Sequence, residues 1–486
     1  MLNWGMALRG PAIAVAALVL GACGGGGSSA PAASTTAAPA TATPAVAVNR
    51  APVVANAIAD QRAAIGAAFS YNANPAGAVF TDPDGDPMTY SLTLAPAGGG
   101  LTVTGVTISG NPTTVGVVVA TLTASDGKGG VTTAPFNIVV GPSAGSATLG
   151  VPTLPAALFA YADASIGLPD HFNQPGITAA DNTPAANPTT NAGATLGRVL
   201  FYDRRLSLND TISCASCHKQ ALGFADSARF SVGFQGGTTP RHSMGLANAR
   251  YYNRGRFFWD ERAATLEDQV ITPIQDPVEM GMSLPTLTAK LAATDFYPPL
   301  FRAAFGTSEV TAQRVSQALA QFVRSMISYR SRFDQAFTAN PPQFAAVLTQ
   351  QEERGRQIFV GPGRCDRCHT TNAQVSDNVH NNGLDATVTD AGAGNGRFKS
   401  PSLRNVALRG PFMHDGRFST LAQVVDHYDS GVQASPGLDQ ALRDGAGAPL
   451  RLNLSAAEKQ ALIAFLGTLT DAPMNADPKF SNPFPN

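Results

Sequence analysis

The sequence predicts a multidomain protein in which an all-β sandwich is followed by two mainly α-helical domains. Between residues 49 and 141, short runs such as GVVVATLTASD and APFNIVV alternate apolar and polar residues and are separated by Gly, Asn and Asp. This pattern is typical of a β-sandwich of about seven strands. After residue 155 the apolar residues recur at helical spacing instead, and two identical cysteine motifs divide this part in two.

The length and charge of the chain limit the classes of function. With 486 residues, 44% of them hydrophobic, the chain is long enough for several domains with buried cores. Its net charge is −1 and it has no long basic run. Nothing therefore predicts a nucleic acid or an anionic membrane surface as a partner.

The N-terminus predicts export. A short positive region at Arg9 is followed by an apolar run from Pro11 to Leu20, which is too short to span a bilayer. The sequence LGAC ending at Cys23 resembles a lipobox, so we expect Cys23 to be lipidated; the alternative is an ordinary signal peptide with a chance cysteine. By analogy with bacterial lipoproteins, Gly24 favours the outer membrane. We expect a periplasmic protein that touches the membrane only through its lipid.

Composition shifts set the predicted domain boundaries. The segment after the cysteine consists of Gly, Ser, Ala, Thr and Pro and is too poor in apolar side chains to fold. The predicted segments are a signal peptide (1–23), a flexible linker (24–48), the β-sandwich (49–141), a second linker (142–155), a first helical domain (156–345) and a second helical domain (346–486).

The sandwich carries a group of aspartates at turns. The segments TDPDGDPMTYSL and LTASDGKGG resemble the cadherin-like domains of bacterial surface proteins. Carboxylates are ligands that calcium prefers, so a calcium ion is one prediction; Asx turns beside glycines are the other. The aspartates are Asp82, Asp84, Asp86 and Asp126. Nothing in this segment predicts catalysis, and a spacer or adhesion module fits it best.

The helical part shows clear periodicity and capping signals. One long helix is marked by an apolar face at i, i+4, i+7 and i+11: Val315, Leu319, Phe322 and Met326. Capping boxes predict two further helix starts, Thr349 with Glu352 and Ser455 with Glu458.

The cysteine spacing carries the chemistry. The five cysteines are Cys23, Cys214, Cys217, Cys365 and Cys368. The last four form two Cys-x-x-Cys-His motifs, ending in His218 and His369. Two thiols at this spacing can bind the two vinyl groups of one haem, and the adjacent histidine can then ligate its iron. Disulfides or a zinc site are alternatives, but each motif is self-contained. The sequence therefore predicts two covalently bound haems c.

Several blocks resemble the bacterial di-haem cytochrome c peroxidase family. They are LGRVLFYDRRLSLNDTISCASCHKQALGFAD, GRFFWDERAATLEDQVITPIQDPVEM and FKSPSLRNVALRGPFMHDGRFSTLAQVV, and they keep the family's order over about residues 190–430. The resemblance implies that the His218 haem reacts with peroxide, that the His369 haem relays electrons, and that Trp259 lies between them as a relay rather than as a plain core aromatic. Glu279 and Gln269 match the family's acid/base and positioning residues; a salt-bridged or capping glutamate is the alternative.

Three differences separate this chain from the peroxidase pattern that it resembles. Many peroxidases carry a histidine that ligates the first iron in the loop that here reads VGFQ (residues 232–235), so we expect an open iron. Where they supply a methionine to the second iron, this chain has Tyr428, as does the methylamine-utilisation branch; a core tyrosine, or ligation by His427 or Met413, is the alternative. A phenolate is a hard anion that lowers the haem potential. His242 replaces an asparagine ligand of the relatives' interdomain calcium, which puts that ion in doubt.

The predicted function is that of a di-haem peroxidase-like oxidoreductase that reduces hydrogen peroxide at the first haem with electrons delivered through the second. Its expected partners are hydrogen peroxide and a small redox protein, either a cytochrome c or a cupredoxin. The first alternative is peroxide-dependent oxidation of tryptophan or tyrosine residues in a partner protein, as in the methylamine-utilisation branch. The others are a non-catalytic electron carrier and an adhesin with a redox appendage.

Overall fold

The computed structural model describes residues 49–114, 116–141, 149–161, 166–375 and 378–485. The predicted lipidation site Cys23, the linker 24–48 and residues 142–148 of the second linker lie outside the described residues. From Arg50 onwards the chain forms one compact unit. None of the helices within the described ranges is long and apolar enough to cross a membrane.

The N-terminal part is a β-sandwich of two main sheets. Its strands are β1 (Val53–Val54), β2 (Gln61–Ala64), β3 (Phe69–Asn72), β4 (Phe80–Thr81), β5 (Thr89–Ala95), β6 (Leu101–Thr104), β7 (Thr107–Gly110), β8 (Gly116–Ser125) and β9 (Val131–Gly141). One sheet has the order β2-β9-β8-β5 and the other β3-β7-β6, while β1 and β4 pair separately. All these pairings are antiparallel except β2 with β9.

Alternation along the strands places the core between the two sheets, because successive side chains of a strand point to opposite faces. In β8, Val118, Ala120 and Leu122 are buried and pack with residues of the facing sheet such as Ile108. In β9, Ile138 belongs to this core, but Val139, its neighbour, belongs to the core of the helical region. Strand β9 therefore contributes to two cores at once.

The first helical domain is built from helices α1 to α8. They are α1 (Pro175–Thr178), α2 (Asn191–Tyr202), α3 (Cys214–Cys217), α4 (Leu266–Gln275), α5 (Leu284–Ala292), α6 (Tyr297–Phe305), α7 (Ala312–Ser325) and α8 (Arg332–Gln335). The apolar face predicted for α7 is confirmed, since Val315, Leu319 and Phe322 are buried. Helices α2 and α7 pack closely at Gly197, where an added Cβ would lie 2.0 Å from the Ala318 carbonyl oxygen.

The second helical domain repeats this close crossing. Its elements are α9 (Phe344–Val347), α10 (Gln350–Val360), β10 (Val379–His380), β11 (Phe398–Lys399), α11 (Leu421–Asp426), a π-helical turn (His427–Gly431), α12 (Ala456–Gly467) and α13 (Ala472–Ala476). Both predicted capping boxes are present, at the starts of α10 and α12. These two helices meet at Gly355, where an added Cβ would lie 2.0 Å from the Ala461 carbonyl oxygen.

Short 3-10 helices occupy many of the connections. They are Pro75–Gly77, Asp170–Phe172, Arg204–Leu206, Gln220–Leu222, Ala249–Tyr251, Ala336–Thr338, Cys365–Arg367, Val406–Leu408, Gln440–Leu442 and Pro478–Phe480.

Contacts connect the two helical domains. The boundary between them, at residues 345 and 346, stays a prediction. The C-terminal segment returns to the first domain, where Met474 and Phe480 join its core and the Phe480 carbonyl accepts a hydrogen bond from the Tyr202 hydroxyl at 2.6 Å. Arg404 of the second domain and Asp334 form a buried ion pair. The position of one domain against the other is therefore fixed by both apolar and ionic contacts.

Candidate haem sites

The first cysteine motif forms a single helical turn. A capping box made by Ser213 and Ser216 starts α3, so that Cys214 and Cys217 lie one turn apart. The Nδ1 atom of His218 lies 2.8 Å from the Phe224 carbonyl oxygen. A carbonyl can only accept, so Nδ1 carries the proton and Nε2 keeps the lone pair that a metal needs.

The second motif begins in a 3-10 turn from Cys365 to Arg367. Burial lowers the pKa of His369 to about 4, so its imidazole is neutral at physiological pH, as metal ligation requires. All four cysteines of the two motifs are free thiols, which argues against the disulfide alternative. Both motifs are therefore available for covalent attachment.

Each motif lines a largely apolar cavity. Cys217 and His218 also lie in the Cys214 cavity, and Cys368 and His369 also lie in the Cys365 cavity. An apolar lining with a few polar groups is typical of cofactor pockets. A buried thiol pair beside a neutral imidazole, facing an apolar cavity, is the donor set that haem c uses.

Cys368 also belongs to a second group of potential metal ligands, which is an alternative to haem attachment. Its Sγ lies within 4.8 Å of ligand atoms of His380 and Asp439. His380 Nδ1 already lies 2.6 Å from the Asp439 carboxylate, and the His380 side chain also interacts with the Cys368 thiol. A zinc ion here would leave Cys365, His369 and the large apolar cavity without a role, so haem attachment explains more of the site.

Glu279 and Gln269 both line the Cys214 cavity, as predicted. Gln269 lies on α4, and Glu279 follows that helix in a turn where its backbone N–H donates to Asp276 at 3.0 Å. Burial, assisted by the negative charge of Asp276, raises the pKa of Glu279 to about 7. The carboxyl group can therefore both accept and release a proton near neutral pH.

The loop at residues 232–235 packs against the Glu279 segment. Phe234 is buried, and its backbone N–H donates to the Glu279 carbonyl at 3.0 Å, while its ring covers Gly281. Val232 lines the Cys214 cavity. Among the residues that the structure describes around this cavity, His218 is the only histidine and Met280 is the only methionine.

Trp259 lines the Cys365 cavity but not the Cys214 cavity. Its indole N–H donates to the His242 carbonyl at 2.7 Å, and the His242 N–H donates to the His414 carbonyl at 2.8 Å. The residue after His242, Ser243, lines the Cys214 cavity. A short run of backbone therefore connects the indole to the other site.

Tyr428 and Met413 both line the Cys365 cavity. Tyr428 sits on the π-helical turn, and burial raises its pKa to about 12. His427, the neighbouring alternative ligand, is not among the cavity residues, and its Nε2 lies 3.0 Å from the Asn382 carbonyl. Of the three ligands considered from the sequence, Tyr428 and Met413 line the cavity and His427 does not.

The region where the sequence puts an interdomain calcium in doubt contains a buried guanidinium. Arg409 donates to the Ser402 carbonyl at 2.5 Å and reaches across to Gly245 of the first domain. Burial lowers its pKa to about 10, so it stays charged at neutral pH. A divalent cation beside this charge would be repelled, which is a physical reason for the prediction.

The sandwich aspartates are only partly brought together. Asp82, Asp84 and Asp86 lie within 4.8 Å of one another through their carboxylate oxygens. Arg50 pairs with Asp84 at 2.7 Å and Lys128 with Asp86 at 2.6 Å. Asp126 accepts backbone N–H groups of its own turn, from Lys128 at 2.7 Å and Gly130 at 2.9 Å, as the Asx-turn alternative predicts.

Comparisons with known proteins place both parts of the chain. The family model for di-haem cytochrome c peroxidase matches residues 191–341, and that for a putative Ig domain matches residues 51–141. The methylamine utilization protein MauG of Methylorubrum extorquens is 36% identical over 301 residues, which cover 60% of this chain and 81% of that protein. The chain belongs to the di-haem cytochrome c peroxidase family.

Other members of the di-haem peroxidase family support the same placement. Cytochrome c551 peroxidase of Nitrosomonas europaea is 32% identical over 279 residues, covering 54% of this chain and 81% of that protein. The crystal structure of a MauG-like protein associated with microbial copper homeostasis has a TM-score of 0.55 and 33% identity, covering 62% of this chain and 96% of that one. The diheme peroxidase BthA from Burkholderia thailandensis shares the fold, with a TM-score of 0.51 at 23% identity over 69% of this chain and 98% of that one.

Family membership confirms the predicted fold class, the two haems c and the assignment as a peroxidase-type oxidoreductase. The segments that resemble cadherin-like domains lie in the β-sandwich, which matches the family model for a putative Ig domain. The polar residues of the Cys365 cavity that were missed from the sequence include Asn382 and Lys399. Lys399 stands in the block FKSPSLRN and Asn382 follows His380 by two residues, but neither residue type identifies a haem pocket without the fold.

Proposed function

We propose that this di-haem peroxidase reduces hydrogen peroxide in the Cys214 cavity, with His218 as the ligand of the reactive iron. The observation that carries the proposal is Glu279, a half-buried carboxyl group in that cavity whose pKa is raised to about 7. When bound, each haem supplies an iron that can change its oxidation state and, where a position is open, bind peroxide.

The protein's own groups would manage the protons of this reaction. Reduction of one peroxide to two waters consumes two electrons and two protons, and O–O cleavage is easier when the leaving oxygen is protonated. Glu279 would accept a proton from one oxygen of the peroxide and return it to the other, the leaving oxygen. The Gln269 amide, in the same cavity, orients the peroxide by hydrogen bonding.

Electrons would reach the Cys214 cavity from the Cys365 cavity through Trp259. The indole is oxidisable, and its hydrogen bond to the His242 carbonyl holds it in one orientation. Tyr428 would be a second protein ligand that helps His369 to hold this haem. Its phenolate would favour the oxidised state of that haem and lower its potential.

A second candidate function is oxidation of tryptophan or tyrosine residues in a partner protein. Two observations favour it: Tyr428 lines the Cys365 cavity where a peroxidase would supply methionine, and Phe234 occupies the position of a histidine ligand. A low-potential second haem is a poor acceptor for electrons from an ordinary donor protein. Its oxidised state, stabilised by the phenolate, would instead persist until it meets a protein substrate.

Mixing the purified ferric holoprotein with peroxide tests the main proposal. We expect a rapid change of the Soret band that is slowed in Glu279→Gln, and an unchanged band would refute the proposal. Steady-state turnover with a reduced cytochrome c or a cupredoxin separates the two candidates. Fast turnover supports the peroxidase, and negligible turnover despite a full Soret change supports oxidation of a protein partner.

The resting EPR spectrum tests the electron-carrier alternative. An open first iron gives a high-spin ferric signal, whereas a simple carrier with two six-coordinate haems gives only low-spin signals. We expect one high-spin and one low-spin species of equal intensity.

Export and lipid attachment belong to the same proposal. Cys23 would carry the lipid that holds the protein at a membrane, by preference the outer one, facing the periplasm. Cys23→Ser should move the full-length protein from the membrane fraction to the soluble periplasmic fraction, with its two haems still attached. Retention in the membrane fraction would refute the assignment.

We also propose that Asp82, Asp84 and Asp86 hold a calcium ion on the sandwich. One oxygen each of Asp82 and Asp86 is buried without a hydrogen-bond partner in the described structure. Calcium would have to compete with Lys128 and Arg50 for these carboxylates. Calorimetric titration of the chelated protein tests this, with Asp86→Asn as the control, and absence of binding would refute it.

A further inference from the structure

A single side chain contacts both candidate ligands of the second haem. The amide nitrogen of Asn382 lies 3.4 Å from the Tyr428 hydroxyl oxygen and 3.4 Å from the Met413 sulfur. All three side chains line the Cys365 cavity. An amide NH₂ group has two N–H donors, so it can serve both neighbours at once.

We propose that Asn382 is a positioning residue that selects Tyr428 over Met413 as the sixth ligand of the His369 haem. This inference rests on the proposed assignment of Tyr428 and deepens it. It identifies the group that makes the chain use an oxygen ligand although a thioether is within reach.

The two acceptors respond differently to the same donor. A hydrogen bond to an ionised oxygen is stronger than one to a neutral acceptor, and a thioether sulfur is a weak acceptor. An N–H group aimed at the Tyr428 oxygen therefore favours the phenolate, the form that binds ferric iron. The second N–H group engages the Met413 sulfur lone pair, which then competes less well for the metal.

Backbone contacts hold Asn382 in this position. Its carbonyl oxygen lies 3.0 Å from His427 Nε2, and the carbonyl of Gly383 accepts the Gln433 N–H at 2.8 Å. These two contacts lie on either side of Tyr428 in the chain, so the turn at Asn382 and the π-helical turn are fixed to each other. They also engage the His427 imidazole away from the cavity.

Gly383 allows this close approach. Its φ of +67° lies in the left-handed region, and an added Cβ would lie 2.6 Å from a Val432 side-chain carbon. Any residue with a Cβ at position 383 would collide with the segment after the π-helical turn. Glycine therefore lets the two segments approach this closely. The amide of Asn382 is consequently presented to Tyr428 by a backbone turn that hydrogen bonds hold on both sides.

The test compares the sixth ligand in the ferric holoprotein of Asn382 variants. Asn382→Leu removes the donor at similar volume, Asn382→Asp removes it with almost the same shape, and Asn382→Gln retains it. The measurements are low-temperature EPR, near-infrared magnetic circular dichroism, which detects the thioether-to-iron band, and potentiometric titration. Haem content and far-UV circular dichroism show that each variant is folded and holds two haems.

We expect the Leu and Asp variants to lose the tyrosinate signature and to gain the thioether band. The potential of the second haem should shift upwards, because a thioether favours ferrous iron. Asn382→Gln should restore the tyrosinate spectrum at least in part. Adding Met413→Leu to the Leu variant should abolish the thioether band, since no sulfur ligand then remains in reach.

Two outcomes would overturn the inference, and Tyr428→Phe separates them. If Tyr428→Phe changes the spectrum but both donor-free Asn382 variants keep the tyrosinate signature, Asn382 does not select the ligand although Tyr428 binds the iron. If Tyr428→Phe leaves the ligand signals unchanged, Tyr428 is not a ligand. In that case the proposed ligand assignment fails together with the inference, while peroxide reduction in the Cys214 cavity stands.

Discussion

The raised pKa of Glu279 predicts a pH dependence that an ordinary glutamate would not give. A rise from 4.5 to about 7 corresponds to about 3 kcal/mol in favour of the protonated form. The group is then about half ionised at pH 7 and about one tenth ionised at pH 6. If its carboxylate takes the first proton from peroxide, the rate should rise with pH through this range.

Stopped-flow measurement of the Soret change between pH 5 and 9 checks this prediction. We expect the second-order rate constant to rise about tenfold per pH unit below pH 7 and to reach a plateau above it. Glu279→Gln should lower the plateau by about 10²–10⁴-fold, the usual contribution of a general acid or base, and should remove the pH-dependent rise.

A matched control distinguishes loss of the proton acceptor from damage to the pocket. Asp276→Asn keeps Glu279 but removes the negative charge that raises its pKa, so the rise should move to lower pH with little change in the plateau. The reasoning would be refuted by a wild-type rate that stays constant from pH 5 to 9, or by a Glu279→Gln variant with the same pH profile as the wild type.

Four further predictions follow from the fold and the sites. Replacing both Cys365 and Cys368 by alanine should leave one covalently bound haem per chain, as measured by the pyridine haemochrome assay and the intact mass. Trp259→Phe should slow oxidation of the second haem after peroxide addition by about tenfold, or about 1.4 kcal/mol on the barrier, in stopped-flow spectra. Asp334→Asn leaves a buried guanidinium unpaired and should lower the free energy of unfolding by about 3–5 kcal/mol in denaturant titrations. Because its ion pair lowers the pKa of Asp334, the wild type should keep this contribution at neutral pH and lose it as the pH falls below about 4. Leu319→Ala in helix α7 should cost about 2–5 kcal/mol by the same measurement, and an unchanged value would contradict the packing described for that helix.

Features encoded by local chemistry were predictable from the sequence. The haem motifs follow from two thiols and an imidazole within five residues, and the capping boxes from the two residues that exchange hydrogen bonds. The apolar face of α7 follows from helical periodicity alone. The placement of Glu279 and Gln269 in one cavity was not predictable from local pattern, because the two residues are ten positions apart and were assigned only through the family resemblance.

Features that arise from packing between distant segments were not predictable. No sequence pattern indicates that Asn382 contacts Tyr428, since 46 residues separate them in the chain. Nor does local pattern reveal that the C-terminal Phe480 joins the first helical core. The pKa of Glu279 likewise depends on burial, which only the three-dimensional structure supplies.

The two-sided strand β9 changes how the N-terminal module should be regarded. Ile138 and Val139 are adjacent in the chain but lie in different cores, so the Ig-type sandwich and the helical region share strand β9 as a packing element. A force applied to the sandwich would therefore be transmitted to the helical region through this strand. The sandwich would then fix the orientation of the helical region instead of acting as a flexible tether.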